Sequence, residues 1–151
     1  MTDTHGPESP LPTGPRTAAS AYEALGFSVT GTLIERMGVE LLEVGAERTT
    51  ARMPVAGNTQ PAGLLHGGAS VVLAETCGSV AAQLHAGRGR AAVGIEVNAT
   101  HHRAARTGFV HAEATALHLG RTTVSYEIVV RDDDDRRVCT ARLTCMILAT
   151  A

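Results

Sequence analysis

The chain has 151 residues, of which 44% are hydrophobic and 19% are charged, and its formal net charge is −2. This length and apolar content fit one globular domain with its own core, and the weak negative charge gives no electrostatic footprint for nucleic acid. We therefore expect no nucleic-acid partner, and because no run of 18 consecutive apolar residues is present, we expect no membrane span.

The first twenty residues, MTDTHGPESPLPTGPRTAAS, are rich in Pro, Gly, Ser and Thr and lack the apolar centre of a signal peptide. This composition predicts a disordered lead-in over 1–20 and a single domain over 21–151. The three cysteines, Cys77, Cys139 and Cys145, form no CxxC pair. Free thiols in a reducing cytoplasm are therefore the simplest interpretation.

Beyond the lead-in, the pattern predicts one long helix between two groups of strands. Residues 21–37 have room for one or two short helical turns, and GVELLEVGAERTTARMPV indicates a β-hairpin broken at GAE. The loop AGNTQPAG leads into an Ala-rich apolar run from Gly68 to about Ala86, which we interpret as a buried helix ending at GRGR. Four strand candidates follow, in AAVGIEVNATHHR, GFVHAEATALHLG, TTVSYEIVVRD and RVCTARLTCMIL, with DDDDRR as a solvated turn before the last.

The order ββαββββ predicts an α+β fold in which a curled antiparallel sheet wraps one long central helix. In the first strand after the helix, Val93, Ile95 and Val97 alternate with Glu96 and Asn98, as in a strand with two different faces. The edge strands of such a sheet leave backbone groups unpaired, so we expect an oligomer.

Within the helix, one carboxylate stands out. Ser79 and Gln83 follow Glu75 at intervals of four residues, so the three side chains form one polar stripe on an otherwise apolar helix. The stripe is either plain solvent exposure, the commoner situation for a lone glutamate, or a wet cleft between two subunits. In a cleft of low dielectric, a carboxylate serves as a general base or a nucleophile.

A histidine and two glycines, His66, Gly67 and Gly68, stand at the start of the helix. Glycines at a helix N-terminus expose backbone N–H groups that bind anionic oxygen. The motif is either an ordinary glycine-rich helix entry or an oxyanion hole at Gly67 for an ester or thioester carbonyl. His66 is correspondingly either a packing residue or a group that orients the carbonyl.

Helix geometry constrains how Gly67 and Glu75 act together. Eight residues separate them, which is about 12 Å along a helix. A carbonyl held by Gly67 is therefore out of reach of Glu75 in the same chain. If both groups act on one carbonyl, they come from two chains whose helices lie side by side and antiparallel, and the active site is a product of dimerisation.

From about Thr32 to Leu148 the chain resembles the hotdog-fold thioesterases, and the stretch GLLHGGASVVLAE carries most of the resemblance. The motif is most similar to glutamate-type 4-hydroxybenzoyl-CoA thioesterases and to the 1,4-dihydroxy-2-naphthoyl-CoA thioesterases of menaquinone synthesis. IEVNATHHRAAR and ALHLGR resemble the second group, whereas phenylacetate-pathway relatives usually carry aspartate in place of Glu75. The resemblance implies a homodimer that forms the active site, paired into a tetramer.

The resemblance also implies a role for each site residue in hydrolysis of an aryl-CoA or acyl-CoA thioester. Glu75 is implied as nucleophile or general base, and the Gly67 N–H as donor to the thioester oxygen. Gln60 is implied to hold the carbonyl or the water, His66 to support the loop and the carbonyl, and Ser79 to position the water. The remaining expected substrate contacts are His101 at the aryl pocket, Val80, Leu84, Gly68 and the candidate phosphate-binding arginines Arg88, Arg90, Arg103 and Arg106.

Other functions have weaker support in the sequence. The seven histidines show no HxH or HExxH spacing, so we expect no metal, and no cofactor apart from the CoA of the substrate. Glu96 and Glu113 are expected to face solvent or an edge, and Tyr126 and Phe109 to pack. Two alternatives are a non-catalytic hotdog module that senses acyl-CoA, for which the N-terminus offers no helix-turn-helix, and a hotdog dehydratase, for which no second acid–base pair is evident.

Overall fold

In a computed structural model, which describes residues 16–17, 22–23 and 26–150, one long helix packs against a seven-stranded antiparallel sheet. The helices are α1 (Leu33–Arg36) and α2 (Gly67–Ala86), and the strands are β1 (Arg16–Thr17), β2 (Glu40–Glu43), β3 (Arg48–Pro54), β4 (Arg90–His101), β5 (Phe109–Leu119), β6 (Thr123–Asp132) and β7 (Arg137–Ala149). The sheet order is β1-β2-β3-β5-β6-β7-β4. The predicted α+β architecture is confirmed.

The predicted elements lie close to their expected places. The hairpin is formed by β2 and β3, α2 begins at Gly67 instead of Gly68, and α1 represents the short helical turns expected before it. Inside the predicted lead-in over 1–20, β1 pairs with β2, and the other residues of that segment lie outside the described residues. No helix in the described part of the chain is long and apolar enough to cross a membrane.

Small side chains bring α2 close to the sheet. Leu73, Cys77 and several alanines form its buried face. At Gly78 an added Cβ would lie 2.7 Å from Leu143 Cδ2, so any side chain there would force Leu143 to move. Burial of each large aliphatic side chain in this layer contributes about 1.5–3 kcal/mol. Such tight contact lets a core with few aromatic residues reach ordinary packing density.

β4 forms one edge of the sheet and pairs, among the described strands, with β7 alone. A β-bulge between Gly94 and Glu96 shifts its register, so the alternation expected along this strand is interrupted. Val93 is 44% exposed and Ile95 is 54% exposed, whereas Val97, after the bulge, packs against the core. The edge therefore presents apolar side chains to its surroundings.

Gln83 covers the beginning of that edge. Its Nε2 donates to the Arg90 backbone oxygen and its Oε1 accepts from the Ala92 N–H, both at 3.1 Å. The amide thus satisfies the backbone of β4 as a neighbouring strand would. Within the described residues, no side chain does the same for residues 94–101, so this segment is the free edge of the sheet.

The acidic turn between β6 and β7 corrects the prediction that DDDDRR is entirely solvated. Asp132 is buried, and its Oδ1 accepts the backbone N–H groups of Asp134 and Arg136 at 3.1 and 3.0 Å. Its Oδ2 accepts the Arg136 Nε at 2.9 Å. These bonds, chiefly that of the Arg136 side chain, lower the pKa of Asp132. The first aspartate of the run organises the turn, and the other three are exposed.

Candidate functional site

The loop before α2 is fixed by one asparagine. Asn58 donates from Nδ2 to the backbone oxygens of Met37 and Pro54, both at 2.9 Å, and its own backbone oxygen accepts the His66 N–H at 2.9 Å. These contacts determine where the helix begins. The sequence pattern predicts only a loop at Asn58, because the hydrogen bond to Met37, 21 residues away, leaves no local signal.

The His66 ring caps the N-terminus of α2. Its Nδ1 accepts the Gly68 N–H at 2.9 Å, so the neutral ring carries its proton on Nε2, where it serves as a donor. The Gly68 amide is therefore satisfied, whereas the Gly67 N–H has no hydrogen-bond partner among the described residues. This free donor lies at the positive end of the helix dipole.

Gly67 lines a cavity of about 370 Å³. Three other predicted site residues, Gln60, His101 and Arg103, line the same cavity. An added Cβ at Gly67 would come within 3.0 Å of His101 Nε2, so the imidazole lies directly against the glycine. The Gln60 side chain makes no hydrogen bond within the described part of the chain. Apolar walls are supplied by Leu64, Leu65, Ala104, Ala105 and Val138.

Glu75 does not line this cavity. It lies about 12 Å from Gly67 by the rise of α2, and it is exposed in the single chain. Its Oε1 faces β4, where an added Cβ at Gly94 would lie 3.7 Å away. Ser79 is half-buried one turn further along the helix. One chain therefore holds the predicted carboxylate and the free amide on the same helix but in separate places.

The predicted arginines divide between the two ends of α2. Arg103 lines the cavity, and the exposed Arg106 follows in the same loop without lining it. Arg88 and Arg90 follow the other end of the helix, which is about 30 Å from Gly67. Of these four arginines, only Arg103 lines the Gly67 cavity of the same chain.

The two aliphatic residues expected to line the acyl pocket also lie away from the cavity. Val80 is 2% exposed and belongs to the core, and the half-buried Leu84 packs against that core. Both lie beyond Glu75 along α2, still further from Gly67. Any contact they make with a substrate at Gly67 therefore has to come from a second chain.

The cysteines are unsuited to nucleophilic attack. Cys77, Cys139 and Cys145 are free and buried. Burial raises the pKa of Cys77 to about 12 and that of Cys145 to about 11, and the negative charge of Glu75 adds to the second shift. The pKa of Cys139 is raised by burial as well. Thiols held protonated at neutral pH are poor nucleophiles, which favours the carboxylate of Glu75.

The residues given structural roles lie as expected. Glu96 and Glu113 are exposed, and Tyr126 is fully buried. The ring of Phe109 packs against the Arg52 guanidinium, whose carbon lies 4.7 Å from the ring centroid. Among the residues that the structure describes, no three His, Cys, Asp or Glu side chains lie where they could hold a metal ion.

The chain is similar to known thioesterases along most of its length. Residues 62–139 match the family model of the Thioesterase superfamily. The chain is 46% identical over 127 residues to the proofreading thioesterase EntH of Cronobacter turicensis, covering 83% of this chain and 93% of that protein. It is 46% identical over 119 residues to the putative esterase ComA2 of Bacillus subtilis, covering 78% and 94%.

Solved structures show the same likeness in three dimensions. A mutant thioesterase from Pseudomonas aeruginosa is 43% identical and superposes with a TM-score of 0.79, covering 84% of this chain and 93% of that one. A thioesterase from Haemophilus influenzae is 38% identical with a TM-score of 0.77, covering 80% and 85%. The matched family region spans α2, β4 and the residues that line the cavity, except Gln60.

Proposed function

The chain belongs to the thioesterase superfamily and has its hotdog fold, and from this membership we propose how it works as a thioester hydrolase. The substrate is an aromatic acyl-CoA, and the site is built from two chains. Gly67 of one chain binds the thioester oxygen, and Glu75 of the other supplies the carboxylate. One observation carries the proposal: the Gly67 N–H has no partner among the described residues, and the exposed Glu75 on the same helix is too far away to act on a carbonyl bound to it.

The free edge of β4 supplies a surface for the second chain. Residues 94–101 have backbone groups facing outward, beside the exposed Val93 and Ile95. Antiparallel pairing of this edge with its copy would continue the sheet across a two-fold axis. The two α2 helices would then run side by side in opposite directions, which brings Glu75 of one chain towards Gly67 of the other.

Two donors at the start of α2 are suited to the thioester oxygen. The Gly67 N–H lies at the positive end of the helix, and the Nε2–H of His66 is a second donor held by its cap on Gly68. As the carbonyl becomes tetrahedral, its oxygen gains negative charge, which fixed donors stabilise. The unbonded side chain of Gln60 is available to hold the carbonyl or the attacking water.

Glu75 has two possible roles in the hydrolysis. As a general base it takes a proton from water while the water oxygen attacks the carbonyl carbon. As a nucleophile its carboxylate attacks that carbon and forms a mixed anhydride, which water then cleaves. In both routes the carbon–sulfur bond breaks, CoA leaves as a thiolate and takes up a proton, and one water is consumed. Ser79, one turn beyond Glu75, is placed to hydrogen-bond that water.

The aromatic acyl group is proposed from the motif GLLHGGASVVLAE and from the apolar walls of the cavity. Hydroxybenzoyl-CoA and 1,4-dihydroxy-2-naphthoyl-CoA are the first substrates to test. The relatives described above are a proofreading thioesterase and a putative esterase, so the finer subgroup stays a prediction. Arg103 is the first candidate for the CoA phosphates, and buried free thiols fit a reducing cytoplasm.

The deciding experiment removes the carboxylate of Glu75 and measures hydrolysis of a panel of acyl-CoA thioesters. We expect Glu75→Ala and Glu75→Gln to lose about three powers of ten in kcat, because the base or nucleophile is absent. Glu47→Ala, which removes an exposed glutamate far from the cavity, should keep full activity. Retention of more than about a tenth of kcat in Glu75→Ala contradicts this role. Straight-chain thioesters that exceed aromatic ones in kcat/KM contradict the substrate class.

A further inference from the structure

We infer that Ser70 hydrogen-bonds a hydroxyl substituent on the aromatic acyl group and so determines which acyl groups the enzyme prefers. The inference rests on the proposed function. Ser70 lies in the first turn of α2 and is 1% exposed, and it lines the same cavity as Gly67 and Gln60. None of the steps proposed for the hydrolysis uses it.

The hydroxyl of Ser70 has no hydrogen-bond partner within the described residues. In the described part of the chain, however, no side-chain N or O atom is both sealed from solvent and without a partner, so the Ser70 Oγ keeps some accessible surface. Because Ser70 lines the Gly67 cavity, that surface opens into it. A nearly buried hydroxyl normally has a partner, and here the cavity has to supply it.

The position of Ser70 on α2 determines which part of the substrate its side chain contacts. It follows Gly67 by three residues, so the two share one face of the helix about 5 Å apart. When the thioester oxygen is bound to the Gly67 N–H, Ser70 lies too far along α2 to contact the reacting carbon. Ser70 lies instead beside the part of the cavity into which the acyl group extends. An ortho hydroxyl would stay beside the carbonyl, so the geometry favours a meta or para hydroxyl.

The surroundings of Ser70 make its hydroxyl selective. Leu64, Leu65 and Val138 give that part of the cavity apolar walls suited to an aromatic ring. A ring without a substituent would fill the space and leave the Ser70 Oγ desolvated and unpaired. A site that hydrogen-bonds a substrate hydroxyl discriminates strongly against the analogue lacking it. For one neutral hydrogen bond we expect a preference of about ten- to a hundred-fold in kcat/KM.

The test compares benzoyl-CoA with 3-hydroxybenzoyl-CoA and 4-hydroxybenzoyl-CoA in the wild type, Ser70→Ala and Ser70→Cys. The wild type should prefer at least one hydroxylated substrate by about ten-fold or more. Both variants should lose that preference, because they lose the hydrogen bond to the hydroxylated rings and no longer leave a strong hydrogen-bonding group unpaired beside the unsubstituted ring. Ser70→Cys fills the same space with a much weaker hydrogen-bonding group, so it gives an answer even where Ser70→Ala folds poorly. Ser125→Ala, on β6 away from the cavity, should keep the preference.

Three results would overturn the inference. If the wild type hydrolyses the three substrates equally, its site makes no productive contact with the ring hydroxyl. A preference that persists in both Ser70 variants places the contact elsewhere. An equal loss on all three substrates means that Ser70 supports the fold or the common CoA portion. In each of these cases the proposed function stands, whereas a wild type with no activity on any aromatic thioester overturns both proposals.

Discussion

At the scale of single residues, the candidate site is defined by polar groups that have no partner among the described residues. His66 satisfies the Gly68 amide and leaves that of Gly67 free. Of the polar stripe on α2, Gln83 is fully used by the backbone of β4, whereas Glu75 is exposed and faces Gly94. Residues that look equivalent along the helix therefore differ, because the fold uses the side chain of Gln83 for hydrogen bonds and leaves those of Glu75 and Ser79 unused within the described residues.

Gly67→Ala tests the close contact between the free amide and His101. The new Cβ would lie 3.0 Å from His101 Nε2, so the exposed ring has to turn away and the cavity changes shape. We expect kcat/KM to fall about ten- to a hundred-fold, with Tm nearly unchanged. The Gly67→Ala His101→Ala double variant should be no worse than His101→Ala alone. If the two losses multiply instead, crowding against the ring is not the cause.

At the scale of elements, the turn between β6 and β7 depends on the buried carboxylate of Asp132. Because the pKa of Asp132 is lowered in the folded protein, the carboxylate stabilises the fold above its ordinary pKa of 3.8, and this stabilisation is lost as the pH falls through the lower folded value. We expect Asp132→Asn to lower Tm by about 5 °C at pH 7. The difference from the wild type should shrink below pH 3.8.

Asp135→Asn is the matched control for that turn. Its side chain is 88% exposed, and its one ion pair within the described residues, to Arg131 at 3.6 Å, contributes little to stability. Asparagine also tolerates the positive φ of 60° at this position. Its Tm should follow that of the wild type at every pH. An Asp132→Asn deficit that stays constant down to pH 2 would mean that shape, and not charge, holds the turn.

At the scale of the whole molecule, mixed dimers test the two-chain site. A Glu75→Ala chain and a Gln60→Ala chain, co-expressed with different tags, should be inactive alone and active together. Glu75 of the second chain then meets Gln60 of the first, so a purified mixed dimer has one intact site of two and about half of the wild-type activity. A mixed dimer as inactive as its parents would show that each site belongs to one chain.

Much of the fold could be predicted from the sequence, because the signals for it are local. Glycine and proline mark the loops, and the Ala-rich run marks α2 within one residue of its start. The bulge after Gly94 could not be predicted, since one extra residue in a strand leaves the hydrophobic pattern almost unchanged while it reverses which face is buried. The buried Asp132 was missed for a similar reason, because its surroundings are those of an exposed acidic run.

The sequence by itself determined the distance between Gly67 and Glu75, because the rise of a helix fixes it and the helix is a local structure. It also determined the motif that relates the chain to the thioesterases. The tertiary structure decided which residues meet. Only folding brings Gln60 and His101 to Gly67, and only folding leaves Ser70 unpartnered inside the cavity. The contact between His101 and Gly67 joins segments far apart in sequence, and no local pattern records it.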